Sequence, residues 1–165
     1  MPSATPDNIQ NVDAAKRELQ AIGAKVVKAV LSKDANTLLS YVVDDNRRND
    51  ETDLQDHESD AYCYLFESNC ITASKARSVY DIFSSARQLQ IEASVTQSKE
   101  GRIYGFLLFF DSSRITQQQL QSSAFQCSEE SLKTVSSWHF ELIDGIWKAR
   151  TLFDYGTEGL CQEDD

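Results

Sequence analysis

At 165 residues the chain has the length of one domain and can bury a sizeable core. Its hydrophobic and charged fractions, 41% and 25%, are ordinary for a soluble globular protein. The net charge of −10 argues against nucleic acid and anionic membranes, which reward clustered Lys and Arg; a basic protein partner or a small apolar ligand fits better. The longest apolar run, Phe106–Phe110, is strand-sized and far below the ~20 residues of a membrane span. Met1-Pro-Ser-Ala-Thr-Pro6 lacks the apolar segment of a signal peptide, but a mature domain can begin this way once its signal is replaced.

Residues 1–10 read as a flexible tail, 11–155 as a single α+β domain and 156–165 as an acidic tail. Asn11 is a suitable N-cap. After it, Val12, Ala15, Leu19, Ile22, Val26 and Val30 recur at helical spacing. The pattern pauses at Ser32-Lys33-Asp34, and Asp34 can cap a short helix carrying Leu38, Leu39 and Val42. The acid-rich stretch Asp44–Asp60 has almost no apolar residues and reads as a solvated loop. Tyr62–Phe66 reads as a strand. Thr72 or Ser74 then caps a helix with Val79, Ile82, Phe83 and Ala86 on one face. Leu89–Thr96 alternates as a half-buried strand, and a turn through Gly101 leads to Arg102–Phe110. That run is apolar on both faces, which predicts a central strand, and Gly105 predicts a bulge or bend within it. Ser112–Lys133 is a polar excursion.

Thr134–Tyr155 carries the strongest local signal. Asp144-Gly145 between two β-rich runs predicts a type I′ hairpin. The expected register sets Ile143 opposite Ile146, Leu142 opposite Trp147 and Glu141 opposite Lys148. It continues with Phe140 opposite Ala149, His139 opposite Arg150 and Trp138 opposite Thr151. Alternation then gives a core face of Trp138, Phe140, Leu142, Trp147, Ala149, Thr151 and Phe153. The other face holds His139, Glu141, Lys148 and Arg150, with Ile143 and Ile146 near the turn.

The four cysteines, Cys63, Cys70, Cys127 and Cys161, allow two disulfides in three connectivities. No C-x-x-C pair suggests zinc or thioredoxin-like chemistry. Disulfides would place the protein in the periplasm or outside the cell; buried free thiols would suit the cytoplasm.

The stretch Val26–Asp45 resembles the opening of the nuclear transport factor two-like superfamily: a long helix, a break at Asp34, and a second short helix ending in acidic residues. Trp138 with Asp144-Gly-Ile-Trp147 resembles its last hairpin. The resemblance covers both ends of the chain and little of its middle. It implies a long N-terminal helix packed on a curved, mostly antiparallel sheet ending in a long hairpin. It also implies a cone-shaped pocket, and often dimerisation through the outer sheet face. Members include ketosteroid isomerase-like enzymes, dehydratases and domains without catalysis, so the fold does not decide the function. The Ser112–Lys133 insertion and the cysteines depart from the superfamily pattern.

Proton-transfer chemistry on such a fold needs a base in an apolar pocket and a donor aimed at the developing oxyanion. His139, Glu141, Asp111 and Asp154 are candidate bases, with Tyr64 or Tyr104 as donors. Cross-strand pairing of His139 and Glu141, and turn formation by Asp111 and Asp154, explain these residues better. The aromatics Tyr62, Tyr64, Phe66, Tyr104, Phe106, Phe109 and Phe110 suit a ligand pocket or an ordinary core. Asp56-x-Glu58-x-Asp60 with Glu67 partly mimics a calcium loop, but Ala61 replaces the turn glycine. His57 stands alone, with no second His or Cys at ligand spacing. No metal or cofactor is expected.

These readings favour an acidic, exported, non-enzymatic binding domain that recognises a protein partner, in an inhibitor or immunity-type role. Tyr64, Tyr104, Phe106, His139 and Glu141 are the candidate binding residues. The alternative is a small-molecule enzyme or carrier that uses the cone pocket.

Overall fold

The computed structural model describes residues 12–67, 78–114, 135–150 and 155–156. The fold is α+β. Helix α1 (Val12–Leu31) packs on an open antiparallel sheet of strands β1 (Leu89–Gln97), β2 (Ile103–Asp111), β3 (Val135–Ile143) and β4 (Ile146–Lys148), in that order. A two-residue strand, β5 (Tyr155–Gly156), also pairs with β3.

The α1 stripe is the one expected. Leu19, Val26 and Val30 are buried, with Ala15 and Ile22 packed against the same core. Lys33 takes a left-handed conformation, φ 54°, and the Asp34 amide donates back to the Ala29 carbonyl at 2.8 Å; this pattern ends helices. Asp34 caps α2 (Ala35–Leu39), its carboxylate accepting from the Thr37 amide at 3.2 Å.

Two expectations fail in the next stretch. Asp44–Asp60 is not a loop, because α3 (Asp44–Gln55) occupies most of it. The acids at its start favour the positive end of the helix dipole. Arg47 and Glu51 pair one turn apart at 3.2 Å, and neither Gly nor Pro interrupts the run. Tyr62–Phe66 is not a strand but part of α4 (Asp60–Phe66). The Ser59 hydroxyl accepts from the Tyr62 amide at 3.1 Å and donates to the Asp53 carbonyl, so one side chain caps α4 and ties it to α3. Ala61, Tyr62, Cys63, Leu65 and Phe66 are buried on α4. Helix α5 (Val79–Ser85) is capped by Ser78 and buries Val79, Ile82 and Phe83; Ala86 is its C-cap. Thr72 and Ser74 lie outside the described residues.

Strand β2 is central, as expected, with β1 and β3 on its two sides. Gly105 produces no bulge: it pairs in unbroken register with Val95 and Phe140. Its role is close approach. A Cβ there would lie 2.7 Å from Leu19 Cδ2 and 2.8 Å from Trp147 Cζ3, so the missing side chain lets the helix and the indole meet over the strand. The inner sheet face contributes Ile103, Leu107, Phe109, Trp138, Phe140 and Trp147 to the core.

The hairpin turns as expected. Asp144 and Gly145 have φ of 53° and 78°, which the type I′ turn requires. Ile143 faces Ile146, Leu142 faces Trp147 and Glu141 faces Lys148. The expected pairing then breaks. The Ala149 amide donates to the Tyr41 carbonyl at 2.7 Å, and its carbonyl accepts from Val43 at 2.8 Å. The α2–α3 connection thus takes the backbone groups that would have faced Phe140. Trp138 pairs with Tyr155, not Thr151. Ala149 still reaches the core; Thr151 and Phe153 lie outside the described residues.

Candidate functional site

The sheet face opposite α1 gathers most of the candidate binding residues. Thr96, Tyr104, Glu141 and Lys148 form one row across four strands. In the next row Ser94, Phe106 and His139 are neighbours. The His139 and Phe106 rings meet edge to face, with centroids 4.9 Å apart. A hollow of about 120 Å³ is lined by Tyr104, His139, Phe140, Glu141, Lys148 and Arg150. Of the five candidates, Tyr104, His139 and Glu141 line it and Phe106 flanks it. Tyr64 does not belong: it sits on α4 and packs against the main core.

Glu141 is 13% exposed and accepts from Arg150 Nη2 at 3.2 Å. The expected charge partner, Lys148, lies opposite in register but donates its ammonium to the Ser40 carbonyl at 3.1 Å. Arg102 enters from the start of β2. Its hydrogen bond with Tyr104, and then the nearby negative charge of Glu141, raise its pKa above the ordinary value. Arg102 had escaped the sequence reading, although it lies two residues before Tyr104, and residues at that spacing share a strand face.

The remaining polar candidates have structural partners. Asp111 is buried at the end of β2. Burial alone would raise its pKa, but hydrogen bonds outweigh it and hold the carboxyl at about 2. The donors are the Ser113 hydroxyl at 2.6 Å and amide at 3.0 Å, with the Arg87 and Gln88 amides at 3.2 Å each. This carboxylate clasps the α5–β1 connection to the end of β2. Asp154 lies outside the described residues.

In the acidic stretch, Asp56 accepts from the Glu58 amide at 3.0 Å, and Glu67 pairs with Lys33 at 3.0 Å. His57 stacks on Tyr62, centroids 4.1 Å apart. Among the described residues no His, Cys, Asp and Glu side chains converge as a metal-binding group, and no helix is long and apolar enough to cross a membrane. Cys63 is buried, its Sγ 3.8 Å from the His57 carbonyl oxygen. Cys70, Cys127 and Cys161 lie outside the described residues.

Comparison with family models, characterised proteins and solved structures gives no match.

Proposed function

We propose that this chain is a non-enzymatic recognition domain whose acidic helix pair, α3 and α4, binds a protein partner with a basic surface. The observation that carries the reading is the placement of charge. Residues 44–60 hold eight carboxylates against two arginines: five on α3, of which Asp50 is buried, Asp60 at the start of α4, and Asp56 and Glu58 in the connection, which Ser59 ties to both helices. Asp44, Asp56, Glu58 and Asp60 are exposed. Acids on a folded frame present a shaped field that speeds encounter with a basic partner and orients it.

Two features favour surface recognition over catalysis in an enclosed pocket. Between α1 and the sheet, Leu19, Trp147, Phe109 and Trp138 fill the core. Asp111 and Glu141, two candidate bases, are engaged by the clasp and by Arg150. The long α1, the Asp34-capped α2 and the closing hairpin support a relation to the nuclear transport factor two-like superfamily. Export to the periplasm or beyond is part of the proposal. Its ground is the four cysteines, which allow two disulfides.

The test is affinity capture of a partner by the full chain, then its dissociation constant for the native chain and for Asp53→Asn/Asp56→Asn/Glu58→Gln/Asp60→Asn. The expected result is at least about tenfold weaker binding by the variant and a steep loss with salt. Unchanged affinity would refute charge-guided recognition. Intact mass after thiol alkylation, with and without reductant, tests export; four alkylated thiols without reductant would remove that support.

A further inference from the structure

We propose that the hollow on the sheet face opposite α1 binds a small organic carboxylate. The proposal is independent of the recognition reading, since it concerns other residues and the opposite charge. In a chain of net charge −10, the hollow itself is lined by two cations, Lys148 and Arg150, and one carboxylate, Glu141, with Arg102 close to Tyr104 and Glu141 beside it. The register explains why. Lys148 and Tyr104 flank Glu141 in one row of the sheet, and Arg102 comes immediately before β2, near Tyr104 and Glu141.

The donors suit a carboxylate. An ammonium has three N–H groups, and the Ser40 carbonyl takes one from Lys148. The Arg102 guanidinium, which interacts with Tyr104 beside the hollow, offers a planar fork that matches two carboxylate oxygens. The apolar requirement is met beside it. Tyr104 is 38% exposed, and Phe106 with His139 forms an edge-to-face aromatic wall. A volume near 120 Å³ is small beside drug-sized sites and suits an acid with a short or single-ring body. The aromatic wall offers contact to the body of an organic acid and none to phosphate, which points to a monocarboxylate in preference to phosphate.

The test titrates the isotope-labelled full chain with benzoate and, separately, with inorganic phosphate at matched ionic strength, following amide shifts. Benzoate is expected to saturate, with the largest shifts at Tyr104, His139 and Lys148, and to bind more tightly than phosphate. Arg102→Gln/Lys148→Gln is expected to weaken benzoate binding by about tenfold or more, with thermal melting showing that the variant is folded. Glu141→Gln is expected to tighten it, because a repulsive charge is removed. Absence of saturation, or an affinity in the double variant within about twofold of native, would overturn the site. Tighter binding of phosphate than of benzoate would overturn the carboxylate assignment.

Discussion

The β3–β4 hairpin and the α3–α4 pair solve the problem of holding polar residues in opposite ways. The hairpin is held by packing. Trp138 and Trp147 are buried, the Trp138 indole N–H donates to the Ser136 hydroxyl at 3.1 Å, and charged residues occupy only its far face. In α3, by contrast, Leu54 is the buried apolar side chain among those described, and exposed carboxylates stand at its start, at Asp44, and just beyond its end, at Asp56, Glu58 and Asp60. The hairpin therefore sets stability, whereas the proposed recognition of a partner rests on the helix pair and its connection. Net charge alone hides this division, because the far face of the hairpin is cationic in an acidic protein.

Changes in the hairpin core should unfold the protein. Trp138→Ala removes a fully buried indole and is expected to cost ~3–5 kcal/mol in urea unfolding. Gly105→Val forces a side chain against Leu19 and Trp147 and is expected to cost ~1–3 kcal/mol, read as a lower denaturation midpoint. A cost near zero for either would mean that the sheet does not carry the stability assigned to it.

Acid sharpens the contrast. The folded pKa of Asp111, about 2, lies below its unfolded value near 3.8. The unfolded chain therefore takes up the proton first as pH falls. The stabilisation is complete above about pH 4 and is lost as pH falls through the folded pKa. Thermal midpoints of Asp111→Asn are expected to lie below native at neutral pH, and the gap should close across that window. A constant gap would show that the clasp is not ionic.

The smallest effect is expected on the helix pair. Asp56→Asn and Glu58→Gln alter exposed side chains, and each should shift stability by no more than ~0.5 kcal/mol. A larger loss would mean that these acids are structural and not presented for a partner.

The two regions also differ in how far the sequence disclosed them. The Asp144-Gly145 turn was legible because its constraint is local: two adjacent residues must adopt positive φ. The α1 stripe and the Asp34 cap were legible for the same reason. Helix α3 was not, because its one buried apolar residue and the buried Asp50 leave no apolar period to read. Helix α4 was misread because its aromatic run favours strands, while the decisive signal was the single cap at Ser59. The departure at Ala149 depends on Tyr41 and Val43, and the role of Gly105 on Leu19 and Trp147. Such distant partners leave no local trace. Alternation along the hairpin put His139 and Glu141 together on its polar face, whereas their neighbours Tyr104 and Phe106 follow from the β2–β3 register, which no local signal carries. Tyr64 lies apart from them, on α4.

The proposed recognition needs Asp44, Asp56, Glu58 and Asp60 to be held in place by folded helices α3 and α4, not strung along a solvated loop. Native-state hydrogen exchange of the α3 amides tests this most directly. Protection well above free-peptide rates at residues 48–55, with that protection kept in Asp56→Asn/Glu58→Gln, is the predicted result. Exchange at free-peptide rates would contradict it, because the acids would then have no fixed frame from which to recognise a partner.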